Sequence, residues 1–216
     1  MARAIVEVTL DNLSVVAESF RRAPEKTIEA ARRGVNRAGE VARTRGSSVM
    51  RRQVALTKEY VDTRLKLIGR ATPQDLSVTV RGSDRPTSLA RFATNRGDVT
   101  RKGEKSKPAK VRVKAGAAPK TVNRSFLVNL RRGRAETGNI GLAIRLPKTG
   151  VRGRRLGTSG LVPFGKPNKK TQAFLVYGPS IDQIFDKTRD EIRPEVARTL
   201  ERETLRQLGV LGVFRG

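Results

Sequence analysis

The chain contains no cysteine, no histidine and no tryptophan, and its 216 residues carry only 20 acidic side chains. Without cysteine there is no disulfide framework, thiol nucleophile or thiolate metal site, and the redox state of its compartment leaves no trace in the sequence. Without histidine, Ser-His-Asp and Cys-His catalysis, HExxH zinc sites and imidazole acid–base chemistry are excluded. No run of about 18 apolar residues is present, so no membrane-spanning helix is expected. The opening MARAIVEVTLDN has one arginine followed by acids, the pattern of neither a secretory hydrophobic region nor a transit peptide. These absences lead to the expectation of a soluble, intracellularly made protein that is not an enzyme and uses no cofactor or metal.

What is abundant is positive charge. Lysine and arginine total 46, giving a formal net charge of +26, and arginine supplies 32 of them. Such an excess points to a polyanionic or strongly acidic partner. At 37% hydrophobic and 4% aromatic, the chain can build a modest, mostly aliphatic core. The charge is also local. Residues 101–172 hold 20 lysines and arginines but only Glu104 and Glu136 as acids, a net of +18; the other 144 residues net +8.

Periodicity sketches the elements. Ala4–Leu10 and Leu76–Arg81 alternate as short strands. Pro24 suits the first turn of a helix running to about Arg45, with Ile28, Ala31, Val35, Ala38 and Ala42 as a narrow apolar stripe. Gly46-Ser47-Ser48 is expected to end that helix, and Gly34 and Gly39 each weaken it by about 1 kcal/mol relative to alanine. A second helix is expected over Lys58–Ile68, with Tyr60, Val61, Leu65 and Ile68 facing inward and Gly69 ending it. Strand-like pieces follow at Val111–Val113, Phe126–Leu130, Ile140–Leu146 and Ala173–Tyr177, separated by loops rich in Gly, Pro and Lys. Ser180-Ile181-Asp182-Gln183 has capping-box spacing and opens a helix to about residue 208, near neutral and laced with opposite charges. Pro194 is expected to kink it or mark a second start.

The predicted fold is therefore α+β: a small antiparallel or mixed β-sheet with long basic arms, packed by an N-terminal and a long C-terminal helix. Three segments organise it, within one domain. Residues 1–100 carry the first strand and helices, 101–172 the basic arm region, and 173–216 the last strand and helix.

A stretch of cations nearly free of acids is what phosphate neutralisation requires. The candidate contacts to DNA phosphates are Arg101, Lys102, Lys105, Lys107, Lys110, Arg131, Arg132, Arg134, Arg152, Arg154 and Arg155. No helix-turn-helix, zinc-finger or RNA-recognition signature is present, so contact with double-stranded DNA is expected to be independent of sequence. Phe126, Phe164, Ile184 and Phe185 are the candidate subunit-interface residues. The arginines of the first long helix, Arg32, Arg33, Arg37, Arg43 and Arg45, suit two partners equally: nucleic acid, or carboxylates of neighbouring subunits. Asp182, Asp186 and Asp190 share a helix face, but Lys187, Arg189 and Arg193 beside them favour a solvated surface over a metal site. Gly153–Gly157 matches no nucleotide-binding loop.

Taken in order, several segments resemble the phage minor tail protein Z (tail-completion) family. They are LTKEYVDTRLKLIGRAT, SLARFATNRG, VRVKAG (Val111–Gly116), RSFLVNL (Arg124–Leu130), IGLAIRL (Ile140–Leu146) and YGPSIDQIF (Tyr177–Phe185). The likeness spans about residues 20–208. The chain departs from the family in a Gly/Lys/Arg-rich insertion around Lys148–Lys170, and in Arg124-Ser125 where glycine-alanine would precede the aromatic. The resemblance implies a structural virion protein at the head-proximal end of a phage tail, near tail terminator, tail tube and head-closure or neck proteins. A closed homo-oligomeric ring, hexameric to match the tail, would surround DNA there. The alternative is a free, sequence-independent nucleic-acid-binding protein of ribosomal or nucleoid type.

Overall fold

Small residues at helical spacing decide how the first half of the chain packs. In the computed structural model, which describes residues 13–100, 104–130, 140–147, 161–166 and 171–213, helix α1 (Leu13–Arg22) leads into α2 (Pro24–Gln53). The buried face of α2 includes Ala30, Ala31, Gly34, Ala38, Gly39, Ala42 and Gly46, which brings other elements close to its backbone. A Cβ on Gly34 would collide with the side chain of Thr204, and one on Gly39 with that of Val78. On Gly46 it would lie 2.7 Å from Phe185 Cε2. The expected break at Gly46-Ser47-Ser48 does not occur. Gly46 is small because Phe185 lies against it, and buried Ser47 donates a 2.5 Å hydrogen bond to Asp62 Oδ1.

The second expected helix is corrected as well. Helix α3 (Lys58–Arg64) stops before Leu65, and β1 (Leu65–Ile68) pairs antiparallel with β2 (Thr79–Gly82). The sequence Leu65-Lys66-Leu67-Ile68 reads equally well as alternating strand, and a ladder partner decides between the two. Tyr60, Val61 and Leu65 are buried as expected, whereas Ile68 is exposed. Helix α4 (Ile181–Val210) begins directly after Ser180 and continues unbroken through Pro194. Its buried positions include Ile181, Ile184, Phe185, Ile192, Val196, Leu200 and Leu208.

Two contact-dense units divide the chain, and neither follows the three consecutive segments drawn from composition. The helical unit comprises Met1–Met50, Lys58–Ser83 and Asp182–Gly216; the sheet unit comprises Arg51–Thr57 and Asp84–Ile181. In the sheet unit, β3 (Pro86–Ser88) is followed by a 3-10 turn at Leu89–Phe92 and a hairpin of β4 (Ala109–Val111) and β5 (Lys120–Val122). Then come β6 (Ser125–Asn129), β7 (Ile140–Pro147), β8 (Leu161–Phe164) and β9 (Thr171–Ser180). The main sheet runs β3-β9-β7-β6, with β8 also paired to β9, and all its pairings are antiparallel. One face gathers Phe126, Val128, Ala143 and Leu175, with Leu130, Phe164, Ala173 and Tyr177 packed around them. Leu127, Leu142, Ile144, Phe174 and Val176 alternate onto the other face and are also buried.

The expected single sheet is thus three separate ladders: the strand near 76–81 pairs with β1 rather than joining the main sheet. The fold class is α+β, with antiparallel sheets and long helices near both ends of the described chain. The strand expected at 4–10 lies outside the described residues.

Candidate nucleic-acid interface

Among the described residues the sheet unit holds 14 lysines and arginines but only three acids, a net of +11; the helical unit, with 19 and 14, nets +5. The described cations of the sheet unit are mostly at the surface: Lys105, Lys107, Lys110, Arg112, Lys114, Lys120, Arg124, Arg145 and Lys166 are all exposed.

The β4–β5 hairpin presents several of these, and it is held on three sides. Along one edge Thr94 N–H donates to Lys110 O at 2.8 Å and Arg112 N–H to Phe92 O at 2.8 Å, so residues 92–94 act as an irregular third strand. Beyond β4, Ala55 N–H donates to Val113 O at 2.9 Å and Ala115 N–H to Gln53 O at 3.2 Å. At the base, Ser125 Oγ accepts from Ala109 N–H at 2.9 Å and donates to Val122 O at 2.6 Å. Alternation turns Ala109 and Val111 inward and Lys110 outward.

Asn95 joins the two runs of chain. Its Oδ1 accepts from Lys110 N–H at 2.9 Å, while its Nδ2 donates to Asp98 Oδ2 at 3.1 Å and to Pro108 O at 3.3 Å. The Asp98 carboxyl is held below its usual pKa, first by the Asn95 hydrogen bond and then by Lys107, whose Nζ lies 3.4 Å away. Lys107 is therefore partly neutralised. Lys105, Arg112, Lys114, Lys120 and Arg124 form no ion pair with a carboxylate among the described residues, and Lys110 acts on Asp98 only from beyond ion-pair distance. Such cations can exchange counterions for phosphates without first breaking an ion pair.

On the neighbouring edge, Arg145 stacks its guanidinium over the Phe126 ring, 4.5 Å from the centroid, and its Nη1 reaches Ser106 Oγ at 3.4 Å. Its backbone N–H donates to Arg124 O at 3.0 Å. Arg124 has φ 58°, the left-handed region that glycine favours.

Of the candidate phosphate contacts, Lys105, Lys107 and Lys110 lie together on the approach to β4 and on its outer face. Arg101, Lys102, Arg131, Arg132, Arg134, Arg152, Arg154 and Arg155 lie outside the described residues. The candidate interface residues require correction. Phe126, Ile184 and Phe185 are 6%, 5% and 0% exposed, so each is already buried within the chain, and Phe164 is half-buried against the Phe126 cluster. Nor is Phe126 available to stack on a base, because Arg145 covers its ring.

Sequence reasoning passed over Arg112, Lys114, Lys120, Arg124 and Arg145 as phosphate contacts. The available signal was alternation, since Lys110, Arg112 and Lys114 are spaced two apart across an apolar–polar run. Among the described residues no three side chains of His, Cys, Asp or Glu gather to hold a metal. Among them, too, no helix is long and apolar enough to cross a membrane. Compared with known proteins, the chain matches no family model, no curated protein and no solved structure.

Proposed function

We propose that the chain is a non-enzymatic structural subunit of a tailed-phage virion. In this reading it forms a closed, hexameric ring at the head-proximal end of the tail, meets the tail terminator, tail tube and neck proteins, and contacts the DNA passing through. The observation that carries the DNA contact is the net +11 of the described residues of the sheet unit, together with the exposed cations of its β4–β5 hairpin, none of which is in an ion pair among the described residues. The tail assignment is supported by the ordered resemblance. Its segments coincide with structural junctions: SLARFATNRG supplies Phe92 and Asn95, which pin the hairpin, and YGPSIDQIF contains the passage from β9 into α4.

Contacts of this kind address the sugar-phosphate backbone, so affinity should be indifferent to sequence and steeply dependent on salt. The logarithm of the binding constant should fall with log salt at about −0.9 per phosphate neutralised. Mass measurements on the purified chain, with and without a short duplex across a salt series, test both halves of the proposal. A ring that survives salt while DNA binding disappears is the expected result. A monomer at every salt concentration would defeat the ring and favour the free nucleic-acid-binding alternative. Duplex binding that ignores salt would defeat the phosphate contact. Labelling of intact particles with an antibody against the chain tests the location, and signal away from the head–tail joint would refute it.

A further inference from the structure

The helical unit has a concentration of positive charge of its own. A groove of about 650 Å³ is lined by residues of α2, α4 and β1 and by Arg70 just beyond β1. Six cations face it: Arg37, Arg43, Arg45, Lys66, Arg70 and Arg202. Two are already matched, since Arg37 Nη1 lies 3.1 Å from Glu40 Oε2 and Arg45 Nε 2.7 Å from Glu195 Oε1. The other four are exposed and have no carboxylate partner among the described residues. The half-buried aliphatic side chains of Val41 and Leu67 line the same groove.

We propose that this groove binds an acidic peptide segment of a protein partner, in which carboxylates alternate with apolar side chains. The carboxylates would meet Arg43, Lys66, Arg70 and Arg202, and the apolar groups would cover Val41 and Leu67. Arginine suits this role because its planar fork pairs with a carboxylate through two parallel hydrogen bonds. From Arg37 to Arg45 the wall of α2 is about 12 Å long at about 1.5 Å per residue, the reach of roughly four extended residues. A phosphodiester chain fits less well. A phosphate backbone has nothing to place on Val41 and Leu67, and Glu40 and Glu195, by engaging Arg37 and Arg45, interrupt the unbroken line of cations that a run of phosphates needs. This inference stands apart from the DNA reading, which concerns the other unit.

The test uses the full chain and a fluorescein-labelled octapeptide of alternating acidic residues and leucine, followed by anisotropy at low salt. Saturating duplex DNA is present to occupy phosphate-binding surfaces. Expected controls are a peptide with lysines in place of the acids, which should not bind, and an equally charged peptide with glycine in place of leucine, which should bind several-fold more weakly. The double variant R43E/R70E reverses two exposed, unpaired charges. It should weaken the peptide by more than about tenfold, as expected for close charge pairs, and leave duplex affinity within about threefold. The neutral pair R43Q/R70Q, checked by circular dichroism, should give an intermediate loss and guards against misfolding of the charge-reversed chain. The proposal is overturned if the acidic peptide binds no better than the lysine peptide, or if both variants leave it unchanged. It is also overturned if these variants abolish duplex binding and spare the peptide, which would make the groove a nucleic-acid surface. A chain that binds no duplex fails the DNA reading alone, because the groove is read by the peptide.

Discussion

Gly46 sets two effects of similar size against each other. It lies inside the 30-residue helix α2, where alanine is worth about 1 kcal/mol more than glycine. Yet the added Cβ would sit 2.7 Å from Phe185 Cε2, 3.2 Å from Phe185 Cδ2 and 3.4 Å from Leu65 Cδ2. Carbon pairs prefer about 3.5–4.0 Å, so the ring must retreat by about 0.8 Å. Phe185 and Leu65 are both 0% exposed, which leaves the ring no solvent-facing direction in which to swing. Overpacking of this kind costs about 1–3 kcal/mol, so Gly46→Ala should be destabilising by about 0–2 kcal/mol net. Gly209→Ala is the matched control, a glycine in α4 whose added Cβ meets nothing within 4 Å. It should be stabilising by up to about 1 kcal/mol, less any fraying at the helix end. Urea denaturation followed by far-ultraviolet circular dichroism should place Gly46→Ala below Gly209→Ala by up to about 3 kcal/mol. Equal stabilisation in both would refute the claim that α4 and α3–β1 are pressed against the backbone of α2.

Arg124→Gly relieves a left-handed backbone and should raise stability by about 0.5–1 kcal/mol after the larger entropy loss of glycine is subtracted; denaturation midpoints check it. If Arg124 contacts phosphate, the same variant should make the salt slope of duplex binding shallower by about 0.9. The carboxyls of Glu29 and Glu203 are held at about 2, the first chiefly by Arg32 and the second by Arg206. Because both values lie below those of the unfolded chain, their contribution is complete above about pH 4.5 and is lost as pH falls from there toward 2. Allowing for solvent screening, that loss is about 1 kcal/mol per glutamate, and E29Q/E203Q should flatten stability over this window in acid titrations. The two tyrosines allow the units to be followed separately, since Tyr60 lies in the helical unit and Tyr177 in the sheet unit. With Tyr60→Phe and Tyr177→Phe as single-probe variants, added salt should raise the midpoint of the self-repelling sheet unit and leave that of the helical unit flat or lower. Identical shifts for both probes would contradict a separation of charge by unit.

Elements governed by local pattern were legible in the sequence. The spans of β6, β7 and α4 follow apolar runs bounded by turn residues, and the structure places them within a few residues of expectation. The misreadings arose where a distant partner chose between two acceptable local states. Gly46-Ser47-Ser48 has the composition of a helix end, but Phe185 and Asp62, far away in sequence, make the same small residues the requirement for a close approach. Leu65–Ile68 suits helix or strand until β2 supplies a ladder. Phe126 and Phe185 looked available to neighbouring subunits because a sequence of 4% aromatics does not reveal how much of that supply its own cores consume.

Charge is the clearest case of a property whose amount is legible and whose placement is not. The count of +26 could describe a uniformly basic surface, and the run 101–172 could describe a tail with no fold of its own. Folding instead gathers Arg51, Arg52, Arg85, Arg91 and Arg96 into the same unit as the described part of that run, while 14 of the 17 described acids go to the other unit. Several of them pair within and between helices, as Glu29 does with Arg32 and Glu195 with Arg45, so Arg32, Arg33, Arg37 and Arg45 of α2 are answered internally. Arg43 remains unpaired beside an aliphatic floor. Sequence left two alternatives level for that helix, nucleic acid or carboxylates of neighbouring subunits, and the proposed peptide groove rests on what accompanies the cations. Cations nearly free of acids suit a continuous line of phosphates, and cations interspersed with glutamates and aliphatic carbon suit a peptide.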